Sequence, residues 1–303
     1  MKDLRETVLD WVATGAAITG VLSAMSAFEL IQRVAIRIGD HEHQRAVSGM
    51  AWGINLGAKL AGTRFRFEGV ENVERGKSYI VVANHQSIFD IAMASQYLAA
   101  LEPRYVSKKE LARGLPGVSY NLRLGGSACI DRKNPEQAVA AIAELGRLMK
   151  ERGFSVVIFP EGTRSRTGEM KPFRETGLRT LIRNAPGVDV LPVTNHGGSA
   201  LWQHNLKPVV RNVELGMRVH RPVTPPDPDD AEAFTAFVRR CEDIIRSGLP
   251  RADQLGMWGA SGKGRPREAE GEARPKVDAE GGPRAGAEAG SRTSAEVAPS
   301  PPA

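Results

Sequence analysis

The rhythm of apolar and polar positions changes markedly along the 303 residues. Trp11 to Phe28 is a run of 18 residues without a charge, close to the length that crosses a bilayer. Leu30 to Leu60 reads as a second helix, with Ile31, Val34, Ala35 and Ile38 on one face and Trp52, Ile54 and Leu56 further on. From Arg64 the period shortens to two: Arg64 to Glu68 alternates as a strand, and Tyr79 to Ala83 is a short apolar strand. Ile88 to Leu98 returns to a helical pattern, and Ser127 to Asp131 is a further strand. Asn134 and Pro135 supply an N-cap and a first-turn proline for a helix running to about Lys150, whose buried face would carry Val139, Ile142, Leu145 and Met149. Ser155 to Phe159 and Val188 to Val193 read as buried strands, Glu175 to Asn184 and Ala231 to Ile245 as helices. Strands alternating with helices predict an α/β domain over residues 61–258, preceded by a helical pair over 1–60.

The N-terminal pair admits three placements: across a membrane, in its interface, or packed on the domain. Six of the 18 uncharged residues are Thr, Gly or Ser, which weakens a spanning helix. The residues before it mix Lys2 and Arg5 with Asp3, Glu6 and Asp10, unlike the positive leader of a secretory signal. A membrane-associated pair, spanning or shallow, is the expectation. At the other end, residues 259–303 carry Val277 and Val297 as their only large apolar side chains, so a disordered tail is expected.

Composition then narrows the chemistry. With 41% apolar and 25% charged residues, disorder of the whole chain is excluded. The two cysteines, Cys129 and Cys241, form neither a C-x-x-C pair nor a cluster with His at metal spacing, so a disulfide scaffold and a structural zinc site are not expected and a reducing compartment fits. The formal charge of +6 is carried ahead of the tail, where seven basic and seven acidic residues cancel. That charge favours an anionic partner: a membrane, a phosphorylated substrate or nucleic acid.

Two motifs follow strands. The first, Asn84-His85-Gln86-Ser87-Ile88-Phe89-Asp90, puts a His and an Asp five apart at a strand-to-helix junction, so that the carboxylate can hold one imidazole nitrogen and leave the other to take a proton. The alternative is a histidine that only satisfies a helix start. The second, Phe159-Pro160-Glu161-Gly162-Thr163-Arg164-Ser165, offers a glycine for close backbone approach, a hydroxyl, amides and a planar cation, a set suited to phosphate, or else an ordinary surface turn.

Together these blocks resemble the lysophosphatidic acid acyltransferase family of glycerolipid acyltransferases, over roughly Thr63 to Pro225 and in the family's order. Asn84 to Asp90 matches the His-x4-Asp block. Gly126 to Arg132 matches a second block mainly through Arg132, since Ala128-Cys129 departs from the family's aromatic. Phe159 to Ser165 matches the third without substitution, Val190-Leu191-Pro192-Val193 the fourth, and Val106 to Leu111 is similar to the lysine-bearing segment. The resemblance implies an α/β fold with a mixed β-sheet flanked by helices, and transfer of an acyl chain to the free hydroxyl of 1-acyl-glycerol-3-phosphate, giving phosphatidic acid. His85 would be the general base and Asp90 its orienting carboxylate. Lys108, Arg132, Glu161, Gly162, Thr163 and Arg164 would engage the acceptor phosphate, and Pro192 would shape the pocket.

No cofactor is implied: the co-substrate is acyl-CoA or acyl carrier protein, a thioester already activated, so raising the nucleophilicity of the hydroxyl is enough and neither metal nor acyl-enzyme is required. The implied partners are membrane phospholipid, lysophosphatidic acid, the donor and acyl carrier protein rather than nucleic acid, and the implied location is the cytoplasmic face of the cell membrane. Glycerol-3-phosphate or another lysolipid as acceptor, and a non-catalytic phospholipid-binding module, are the alternatives. A lipase reading of His196-Gly197-Gly198-Ser199 fails because no Gly-x-Ser-x-Gly elbow occurs, and His196 is expected in a loop. A dinucleotide site fails for want of Gly-x-Gly-x-x-Gly after a strand.

Overall fold

The computed structural model describes residues 4–201 and 208–250, and the expected tail lies outside them. Three strands form the centre of the sheet: β2 (Ile80–Ala83), β5 (Val156–Ile158) and β6 (Val190–His196). They are parallel and nearly continuously apolar because both faces are covered. On one face Ile80, Val82, Val156, Ile158 and Val190 pack against α5 (Pro135–Arg152), α6 (Glu175–Asn184) and α7 (Ala231–Ser247). On the other, Tyr79, Val81, Val157 and Leu191 meet Met93 and Ala94 of α3 (Phe89–Tyr97).

Four further strands complete a seven-stranded sheet in the order β1-β7-β6-β2-β5-β3-β4, with β1 (Arg64–Glu68) and β4 (Ala128–Ile130) at its edges. All pairs are parallel except β6 with β7 (Glu214–Val219), so the sheet is mixed, as expected. In a parallel sheet the carboxyl ends of neighbouring strands open onto one edge, where crossover loops build a site. β2 has β5 on one side and β6 on the other, so the loops after all three converge there.

Local signals hold for α5: the Asn134 side chain accepts from Gln137 N–H, Pro135 opens the helix and Gly153 closes it in the left-handed region. Its buried face is Ile142, Leu145 and Met149, whereas Val139, in the second turn, is 38% exposed and does not belong to it. Two strands and one α-helix lay outside the sequence expectation: β3 (Arg104–Lys108), β7, and α4 (Val118–Leu124).

The N-terminal pair breaks later than its charges suggest. α1 (Leu4–Ile38) continues through Glu29 and Arg33, which pair at i,i+4 on its surface, and ends at Gly39, after which α2 (Asp40–Lys59) turns back. The two helices approach at small residues: a Cβ on Gly57 would come within 2.6 Å of Val21 N, and one on Gly53 within 2.8 Å of Ala24 Cβ. α2 packs on α3, with Ser48 Oγ donating to Ser95 O and Asn55 Nδ2 to Gln96 Oε1. α1 is long and apolar enough to cross a membrane, and only 22% of its most apolar stretch is buried. Leu22, Ile31 and Val34 lie exposed along it. The pair is therefore both packed, through α2, and apolar outward, through α1.

Candidate active site

His85 stands just past the end of β2, and Asp90 occupies the first turn of α3. His85 Nδ1 lies 2.8 Å from Asp90 Oδ2, and the same oxygen accepts the Gln86 and Ser87 amides at 2.6 and 2.9 Å. Ser87 Oγ reaches Asp90 Oδ1 at 3.2 Å. The short spacing between the two residues works because the loop folds its amides onto the carboxylate, at a helix N-terminus where negative charge is favoured. Asp90 is buried, while the His85 side chain is 14% exposed, and Nε2 is the ring nitrogen that Asp90 does not engage. The ring stacks on Phe159, centroids 4.2 Å apart and planes inclined by 21°, which fixes its tilt.

The loop after β5 brings the second motif beside it. Glu161 is buried, and both of its oxygens are occupied by amides: Oε1 by His85 N–H at 2.7 Å and Oε2 by Lys171 N–H at 3.0 Å. Burial pushes its carboxyl above the ordinary carboxylate range. It braces two loops, a geometry that differs from the phosphate contact implied by the resemblance. Gly162, at φ 71°, closes a turn with its N–H on Phe159 O. Thr163 is exposed and Arg164 half-buried. Burial holds the Arg164 guanidinium below its ordinary value, the charges of Arg166 and Arg132 push the same way, and Asp90 opposes them. Arg132, after β4, and Arg166 therefore act electrostatically on Arg164, and Asp90 acts on it with the opposite sign.

Lys108 ends β3 in register with Ile130 of β4, on the same sheet edge, and its Nζ pairs with Glu110 at 3.4 Å. Pro192 sits inside β6 opposite Val82. His196 is not in a loop but is the last residue of β6, its ring lying across Gly216, where a Cβ would come within 1.8 Å of Nε2. It lines a cavity of about 740 Å³ with Gln86, Thr167 and Ser199. The sequence reading missed Phe159 as a stacking partner, Arg166 as a further cation, and Asn195, whose side chain and backbone bond with Asn84. Arg166 lies two residues past Arg164 and was open to discovery from sequence, but nothing local distinguishes Asn195.

The Acyltransferase family matches residues 64–195, the stretch that holds both motifs and the strands bearing them. The 1-acyl-sn-glycerol-3-phosphate acyltransferase alpha of Mus musculus is 26% identical over 213 residues, 68% of this chain and 73% of that protein. The 1-acyl-sn-glycerol-3-phosphate acyltransferase of Pseudomonas aeruginosa is 33% identical over 139 residues, 46% of this chain and 52% of that one. The chain thus spans about half the length of the bacterial relative. The crystal structure of the 1-acyl-sn-glycerophosphate (LPA) acyltransferase PlsC from Thermotoga maritima superposes with a TM-score of 0.61 at 22% identity, covering 84% of this chain and 98% of that one, a likeness of fold. The family match and the relatives point the same way: residues 64–195 carry an acyltransferase domain, and the chain is similar to the 1-acyl-sn-glycerol-3-phosphate acyltransferases.

Proposed function

We propose that the chain acylates the free hydroxyl of 1-acyl-glycerol-3-phosphate, using an acyl thioester of coenzyme A or acyl carrier protein, to give phosphatidic acid at the cytoplasmic face of the membrane. The observation that carries the reading is the His85–Asp90 contact, which engages Nδ1 and leaves Nε2 as the ring nitrogen that can take a proton. His85 Nε2 takes the hydroxyl proton as the oxygen attacks the thioester carbonyl. Asp90 holds the Nδ1–H tautomer and stabilises the imidazolium, and the C–S bond then breaks with return of that proton to the departing thiolate. Arg164, with Arg132 and Arg166 near it, suits the acceptor phosphate because planar guanidinium groups bind phosphate oxygens in pairs. Thr163 and Lys108 sit on the same sheet edge and contribute a hydroxyl and a further charge. α1 and α2 hold the domain where an amphiphilic acceptor resides.

The test is an assay of the purified full chain in detergent, offering glycerol-3-phosphate and 1-acyl-glycerol-3-phosphate with acyl-CoA and with acyl carrier protein. Phosphatidic acid formed from the lysolipid, and abolished in His85→Ala with folding intact, is the expected result. Acylation of glycerol-3-phosphate alone moves the acceptor, and binding of lysolipid without turnover favours a non-catalytic module.

A further inference from the structure

The peptide unit that joins Asn84 to His85 is gripped at both ends. Its carbonyl, Asn84 O, accepts from Asn195 Nδ2 at 2.9 Å, and its N–H, that of His85, donates to Glu161 Oε1 at 2.7 Å. The carbonyl of His85 accepts from Ser165 N–H at 2.7 Å, so the backbone on either side of the histidine is fixed from β6 and from the loop after β5. The Asn84 side chain closes the arrangement, accepting from Asn195 N–H at 2.7 Å and donating to Asn195 O at 2.8 Å. These bonds lie just past Ala83 and Val193, the last pair of the β2–β6 ladder, and extend it by side chains.

Folding alone does not call for this arrangement. Asn84 and Asn195 are each 1% exposed, and Asn195 Oδ1 accepts from no donor among the described residues, an acceptor that the protein leaves unpaired in the interior. Burying such a group costs free energy that an apolar side chain of similar size avoids. A polar residue kept there at that cost, and aimed at the peptide of the residue carrying the reactive nitrogen, points to geometry rather than stability. Asp90 and Phe159 orient the imidazole relative to its own backbone, and the grip on the Asn84–His85 peptide sets where that backbone stands.

We propose that Asn195 is a positioning residue for acyl transfer: through Asn84 O it fixes the plane of the peptide that bears His85, with Glu161 holding the other end of the same plane. This rests on the acyl-transfer reading above. A displacement of about 1 Å at a reacting group lowers rate by on the order of 10²-fold. Losing one end of the grip is therefore expected to lower kcat by roughly 10- to 100-fold while leaving the KM of acceptor and donor unchanged, since Asn195 touches neither.

The experiment compares Asn195→Ala, Asn195→Asp and Thr194→Val in the full chain, with kcat, both KM values and the melting temperature. Asn195→Asp keeps the shape but presents an ionised acceptor to Asn84 O, so it should lose kcat at least as far as Asn195→Ala. Thr194→Val removes the neighbouring buried hydroxyl, which bonds Ile245 O and His220, and should lower melting while leaving kcat within twofold. If Asn195→Ala does not fold, Glu161→Gln probes the same peptide from its other end and should show the same selective loss. Near-wild-type kcat in Asn195→Ala, recovery in Asn195→Asp, or a loss shared equally by Thr194→Val would overturn the assignment. Wild-type protein that acylates no lysolipid overturns the functional reading instead, so the two failures are told apart.

Discussion

Arg211 and Asp10 are 201 positions apart in the chain, and the guanidinium Nε donates to the carboxylate at 2.6 Å. A second bond runs from Arg211 to Glu6, and Val209 N–H donates to Thr14 Oγ1, so the segment leading into β7 fastens the start of α1 to the sheet. Arg211→Ala leaves the buried Asp10 carboxylate without its cation. It is expected to cost about 1–3 kcal/mol, read as a fall in the denaturant midpoint at unchanged slope.

Leu22, Ile31 and Val34 face outward from α1, at 49%, 48% and 59% exposure. Replacing all three by Asp should leave melting nearly unchanged in detergent but release the protein from phosphatidylglycerol vesicles in a sedimentation assay. Retention of the triple variant on vesicles would place the membrane contact elsewhere. Release of wild type by high salt would mark an interfacial helix, and release by detergent alone a spanning one.

Asp90→Asn keeps the outline of the carboxylate but not its charge. Three donors now converge on one Asp90 oxygen, and an amide cannot stabilise the imidazolium that the proposed proton transfer to His85 would form. A fall in kcat of about 10²- to 10⁴-fold is expected with substrate KM little changed. Steady-state kinetics that show less than a tenfold loss would remove Asp90 from the mechanism.

Arg164→Ala should raise the KM of the phosphorylated acceptor by about 10- to 100-fold, equivalent to one or two charge-assisted hydrogen bonds, with less effect on the donor. A rise confined to the donor KM would reverse the placement of the two substrates.

Acid should destabilise the fold. Glu68, Glu175 and Asp189 are held below the ordinary carboxylate range by hydrogen bonds to Arg218, Arg179 and Lys77 respectively. A carboxyl whose folded pKa is depressed contributes stability above its unfolded value, and that stability is lost as pH falls through the folded value. Buried Glu161 has the opposite sign, but Glu29, Glu110 and Asp131 are lowered as well, so it is one group against six. Urea midpoints taken from pH 7 downward should fall once pH drops below the ordinary carboxylate range, and a constant midpoint would contradict the ion-pair account.

Much of the fold was legible where burial is two-sided or a cap is local. The apolar runs of β2 and β5, the Asn134-Pro135 start of α5 and the amphipathic α6 each carry their own signal. β3 and β7 were not legible because Arg104, Lys108, Glu214 and Arg218 break their apolar pattern. Arg104 is buried all the same, compensated by Asp40 at 2.7 Å and by Glu102 O, partners that only the tertiary structure supplies. At the site, His85 and Asp90 lie close in sequence and were found together. Asn195 comes from a strand 111 positions from Asn84 and Glu161 from a loop 76 positions from His85, beyond any local rule. The position of Glu161 next to Gly162, Thr163 and Arg164 suggested a shared contact with phosphate, whereas its carboxylate is turned inward onto two amides.

Those separations also order the enzyme's assembly in time. Contacts between distant positions form late, because a long loop must close before they can be made. A chain emerging from the ribosome presents α1 and α2 first, then the motif bearing His85, and it gains the Glu161 contact only after the third block is out. Asn195 arrives later still. The N-terminal helices are therefore available to a bilayer while the histidine backbone is still loose, and on the proposed function competence waits on the pairing of β6 with β2.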